Sequence, residues 1–161
     1  MKRNQTAIFI MGFVLIMALS AATEEPPWFD MVNCEFCKHL TDDPELLNHT
    51  TWEHHNIANG VINVTTVAPE YMESYHKAGQ AMEEVGARMM KGENVTMCGM
   101  CNAMGMLLQK GVKMEHIETK HGHVTLLTSD NPEMVAKIQS WGKRNQDEMA
   151  KIEQMEHEKI D

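Results

Sequence analysis

The chain has 161 residues, enough for one domain or for two small halves sharing a core. Its formal net charge is -9 and no basic run follows the first three residues, which excludes the cationic face that a nucleic-acid partner requires. Sixteen methionines and nine histidines stand against an aromatic content of 6%, so thioether and imidazole are the side-chain chemistries in excess.

Lys2 and Arg3 precede the apolar run AIFIMGFVLIMALSAA, Ala7 to Ala22, which gives way at once to polar TEEPP. A basic start, a short hydrophobic stretch and small residues at Ser20 and Ala22 are the pattern of a secretory signal, residues 1–22, cut after Ala22. An uncleaved anchor is the alternative, although the run falls short of the roughly 20 residues that span a bilayer. Either reading makes the remainder periplasmic or secreted, touching a membrane only through this segment if it stays attached. Asn48, Asn63 and Asn94 open N-glycosylation sequons, which matter only in a host that glycosylates.

Trp28, Met31, Cys34 and Leu40 approximate one stripe of a helix carrying Cys34-Glu-Phe-Cys37. A β-hairpin follows, turning near Asn59-Gly60, a pair suited to a type I′ turn because both positions take positive φ. Ile62 and Val64 alternate with polar residues, as in a strand with one buried side. Pro69 suits the first turn of a closing helix, whose stripe is Met72, Tyr75, Met82, Val85 and Met89 with Gly79 filling a gap.

The same order then recurs. Cys98-Gly-Met-Cys101 lies on a helix with Met104 and Leu108 on its stripe. A hairpin turns near His121-Gly122, and Val124 and Leu126 alternate beyond it. Pro132 opens a last helix, with Ser129 or Asp130 as its N-cap. Its stripe is Val135, Ile138, Trp141, Met149 and Ile152, interrupted by polar Asn145, and it runs on as a charged tail from Glu153 to Lys159. Glu53-His54 matches Glu115-His116, Gly60 matches Gly122 at the same interval, and Pro69-Glu70 matches Pro132-Glu133. Chance hardly supplies the whole ordered set, so the sequence reads as a duplication. The expected fold is α+β: two α-β-β-α repeats, about 28–91 and 94–157, in one domain spanning 23–161. Their hairpins pair about a pseudo-twofold axis into a four-stranded antiparallel sheet packed by helices. Strand order is not encoded in the pattern.

Four cysteines in two Cys-x-x-Cys pairs are the chemistry-bearing motif. Each pair sets two sulfurs on one side of a turn, and two pairs brought together by the duplication make a tetrahedral thiolate site from Cys34, Cys37, Cys98 and Cys101. The ion would be soft, Zn or Cu, with Met97, Met100 and Met104 favouring copper. In an oxidising compartment the pairs can close as disulfides instead, or serve as inert core. His54 and His116, recurring at matching positions, are further candidate metal ligands or else hydrogen-bonded core residues. Haem attachment is disfavoured, because Lys38 and Asn102 stand where Cys-x-x-Cys-His needs histidine. No catalytic triad, phosphate-binding glycine loop or His-Glu-x-x-His helix occurs, so an enzyme has no support and no catalytic residue is assigned. The expected function is an exported soft-metal binding protein, structural or metal-handling. The alternatives are a thiol–disulfide redox carrier, or a disulfide-stabilised module binding a ligand or protein partner without metal.

Overall fold

A computed structural model describes residues 25–157; the signal-like segment 1–22 and the end of the charged tail lie outside the described residues. The order of elements is a 3-10 helix at Cys37–Thr41, another at Leu47–His49, strands β1 (Thr50–Ile57) and β2 (Gly60–Val67), then a 3-10 turn at Pro69–Tyr71 leading into helix α1 (Met72–Met90). Helix α2 (Gly99–Gln109), strands β3 (Lys113–Thr119) and β4 (Gly122–Thr128), and helix α3 (Pro132–His157) complete it. The α+β class and the four-stranded antiparallel sheet are as expected. Strand order is β1-β2-β4-β3, with both hairpins antiparallel and β2 joined to β4 in the middle. Among the described residues no helix is long and apolar enough to cross a membrane.

The two units are not alike at their starts. Where a helix was expected around Cys34, the chain makes tight turns and a short 3-10 helix. Local polar groups explain the difference. The Asp30 carboxylate accepts from the Val32 and Asn33 backbone N–H groups and draws the chain into a turn. Downstream, Asp43 accepts from the Glu45 N–H and Pro44 has no N–H to extend a helix. In the second unit α2 is a full helix, and Cys98 stands at its N-cap in extended conformation. Helix α3 begins at Pro132 as expected, but the cap is Asn131, whose Oδ1 accepts from the Glu133 N–H at 2.9 Å. Ser129 instead accepts from the Asn131 N–H.

The hairpin turns also differ from expectation. No non-glycine residue among those described has positive φ, so Asn59 is not in a type I′ turn. Gly60 and Gly122 are needed for another reason: each opens a strand pressed against a neighbour. A Cβ at Gly60 would lie 1.8 Å from the Leu127 carbonyl oxygen, and one at Gly122 2.1 Å from that of Thr65. Their bare α-carbons let β2 and β4 close on each other at both ends.

The largest departure concerns which side of the sheet is covered. Ile62, Val64, Val124 and Leu126 were expected to face the core. Instead Val61, Thr65, Val67, Thr125 and Leu127 are the buried positions of these strands. Val61 and Leu127 join Leu107, Val112, Met134, Ile138 and Trp141 in the main core, under α2 and α3. Val67 packs with Leu46 and Ala78 of α1 in a second cluster. Polar groups share this covered side, several of them hydrogen-bonded, while His54 Nδ1 and Asn63 Oδ1 are buried without a partner. Asn145 of α3, read from the sequence as a break in the apolar stripe, is 2% exposed. Its Oδ1 accepts from Trp28 Nε1 at 2.7 Å and its Nδ2 pairs with His54 Nε2 at 3.1 Å. Gln146 donates to the His54 carbonyl, so α3 is pinned to β1 by polar contacts as well as by packing. Register pairing puts Asn63 beside His54, and its Oδ1 is buried although the residue as a whole is half-buried.

Candidate metal centre

The first Cys-x-x-Cys forms a knuckle: the Lys38 N–H donates to the Cys34 carbonyl at 3.0 Å, curling the chain so that both sulfurs point the same way. The second straddles the start of α2, with Cys98 at the N-cap and Cys101 in the first turn. Main-chain and side-chain bonds bring the two together. The Glu35 N–H donates to the Thr96 carbonyl at 2.9 Å, and the Glu35 carboxylate accepts from the Thr96 N–H at 3.1 Å. The other Glu35 oxygen is held by Arg88 of α1 at 2.6 Å, and Arg88 also bonds Glu93. The Arg88 bond, then the Thr96 N–H, hold the Glu35 carboxyl below its usual range. On the far side the Gly99 and Met100 N–H groups donate to the Pro27 and Trp28 carbonyls. Gly99 suits this close approach, since a Cβ would lie 3.1 Å from the Trp28 ring and the ring would have to shift to admit it.

The result is a single cluster of four free thiols. Their sulfurs all lie within 4.8 Å of one another, with Cys37 at 3.7 Å from Cys98 and 3.5 Å from Cys101. No disulfide is formed. Four sulfurs about 2.3 Å from one ion sit about 3.8 Å apart along the edges of a tetrahedron, so the observed separations fit a four-thiolate site with little rearrangement. Cys34, Cys37 and Cys98 are 1%, 3% and 1% exposed, and Met31, Phe36 and Met100 pack around them.

Such proximity prevents all four from ionising independently. Hydrogen bonds from the Cys101 and Cys37 thiols hold Cys98 far below the ordinary thiol range, against the opposing effect of burial. Its place at the positive end of α2 acts in the same direction. Cys101 is pushed far up, because its proton is held by Cys37 and Cys98 and because it is buried. Cys37 accepts from Cys101 yet is also raised, since its own proton is committed to Cys98 and burial adds to this. Negative charge in the cluster is thus favoured on Cys98, while Cys37 and Cys101 hold their protons until a bound cation displaces them.

Of the six candidate ligands, the structure brings together the four cysteines. His54 lies elsewhere, edge-on to Trp141 and bonded to Asn145; burial, then the charge of His55, push its pKa down to about 4. His116 is exposed on β3, its Nδ1 3.3 Å from the Thr125 hydroxyl and its ring 4.3 Å from that of His123. His123 in turn is hydrogen-bonded to the Tyr75 hydroxyl, and burial, then the charge of His116, lower its pKa to about 4. Glu35 and Arg88, which hold the two motifs together, gave no sequence signal beyond Glu35 lying inside the first motif. Compared with known proteins, the chain matches no family model, no curated protein and no solved structure.

Proposed function

We propose that the protein is an exported soft-metal binding protein whose ligands are Cys34, Cys37, Cys98 and Cys101. The observation carrying this reading is the convergence of four unpaired sulfurs within 4.8 Å, from motifs sixty-odd residues apart in the chain. Four thiolates select zinc or Cu(I) over oxygen-seeking ions, and a closed site with no free position suits a structural or holding role rather than catalysis. A duplicated ancestor accounts for the two motifs. The central pairing supports it: Ile62 faces Leu126 and Val64 faces Val124, a register that exchanging the two hairpins preserves.

The decisive experiment is Co(II) substitution of the metal-free protein. The reading calls for saturation at one equivalent, with thiolate charge-transfer absorption and tetrahedral d–d bands that zinc abolishes. Weak octahedral bands, or none, would remove it. Position favours one rival, since the Cys98 thiolate at a helix N-terminus is where redox carriers keep their nucleophile. Its 1% exposure argues against attack on a protein disulfide. Insulin reduction by the metal-free protein would establish that rival instead.

A further inference from the structure

Helices α2 and α3 and the segment at Trp28 border a surface cleft of about 260 Å³ that takes no part in the cysteine cluster. Its apolar lining comes from buried Leu107 and Trp141, from Met106 of α2 and from a second indole, Trp28. Charge is distributed unusually there. The chain carries 23 acidic against 14 basic groups, yet Lys110, Lys137 and Arg144 line this cleft and no carboxylate does. Lys137 is paired with Glu133 at 2.6 Å. Lys110 and Arg144 form no ion pair with a described residue. The Arg144 guanidinium lies instead over the Trp28 ring, 3.9 Å from its centroid. A guanidinium placed on an indole face keeps its N–H donors, which match the two oxygens of a carboxylate.

Both indoles are fixed from within the protein. Trp28 Nε1 donates to buried Asn145 at 2.7 Å, and the Trp28 carbonyl accepts from the Met100 N–H at 2.9 Å. Trp141 Nε1 donates to the Met100 carbonyl at 3.4 Å. The aromatic surfaces therefore stand in place before a ligand arrives, which lowers the cost of binding one.

We propose that this cleft binds a small aromatic carboxylate, its ring on the apolar lining and its carboxylate held by Arg144 and Lys110. The volume lies just below the roughly 300–1,000 Å³ of ordinary ligand pockets, which limits the occupant to a small molecule. Two cations with no carboxylate beside them in the lining select an anion, and indole and thioether surfaces favour an aromatic body over an alkyl chain. The site is independent of whether the cysteines hold an ion, although Met100 packs against both the main core and the cysteines.

The test is titration of the ¹⁵N-labelled protein with naphthoate, followed at the three tryptophan indole N–H resonances. The expected result is saturable, submillimolar binding that shifts Trp28 and Trp141 and leaves Trp52, which is outside the cleft, unmoved. Naphthamide, with the same rings and no charge, binds about tenfold more weakly or worse. Arg144→Gln weakens naphthoate by about tenfold, the effect of losing a charge-assisted hydrogen bond, and Lys110→Gln weakens it less. Both side chains are exposed, and an unchanged remainder of the spectrum verifies that each variant keeps the fold. No saturable shift at millimolar naphthoate, equal binding of naphthamide, or indifference to both substitutions would overturn the proposal. So would acetate binding as tightly as naphthoate, since the apolar lining would then play no part.

Discussion

Glu35 shows how a single side chain assembles the centre: one carboxylate spans the segment before Cys98 and the guanidinium of Arg88. Glu35→Ala is therefore expected to weaken zinc about 10–100-fold, the cost typical of losing an outer-shell contact, while Cys98→Ser weakens it by more than that. Competition with a chromophoric chelator measures both; equal, negligible effects would show that neither residue serves the site. His54 gives a second residue-scale prediction. Its folded pKa of about 4 lies below the ordinary 6.5, so the unfolded chain takes the proton first. The stabilisation is complete above about pH 6.5 and is lost as pH falls toward 4, by about 3 kcal/mol at the low end. Urea unfolding of wild type and His54→Gln at pH 7 and pH 4.5 should show the steeper fall in wild type; parallel falls would contradict it. At this scale the cysteines were legible because their spacing has few uses. Asn145 was not, because a lone polar residue on an apolar stripe reads alike whether it faces solvent or bridges a buried indole and imidazole.

At the level of elements, the strands and the two long helices followed from alternation and three- and four-residue steps. The side of the sheet did not. β2 and β4 carry apolar residues on both faces, as Val61, Ile62 and Val64 show, so periodicity locates the strand without saying which side meets a helix. The first motif was read as helical because Trp28, Met31, Cys34 and Leu40 have helical spacing, but Asp30 and Pro44 govern that segment locally. Gly60 and Gly122 have the positive φ expected of them, but the turn type was not as read, and backbone contact is a further reason that the sequence did not show. Contact has a testable consequence. Gly122 has φ of 129° and no room for a methyl, so Gly122→Ala should cost roughly 2–4 kcal/mol by chemical denaturation. Gly79→Ala in α1, which meets nothing within 4 Å, should be neutral or stabilising. Equal effects would mean that the central strands tolerate separation at that end.

Over the whole molecule, the four-cysteine cluster sits where the start of the described chain meets the start of α2, beside the sheet's helix layer. An ion there would tie the irregular first segment to the regular second half, which suits a chain whose covered sheet side is half polar. Free-thiol and metal analysis of the purified protein tests this account most directly. It predicts one zinc or copper ion per chain and four thiols that react only after a chelator removes it. Protein with no titratable thiols and no metal, or with four reactive thiols that leave added zinc unbound, would contradict it.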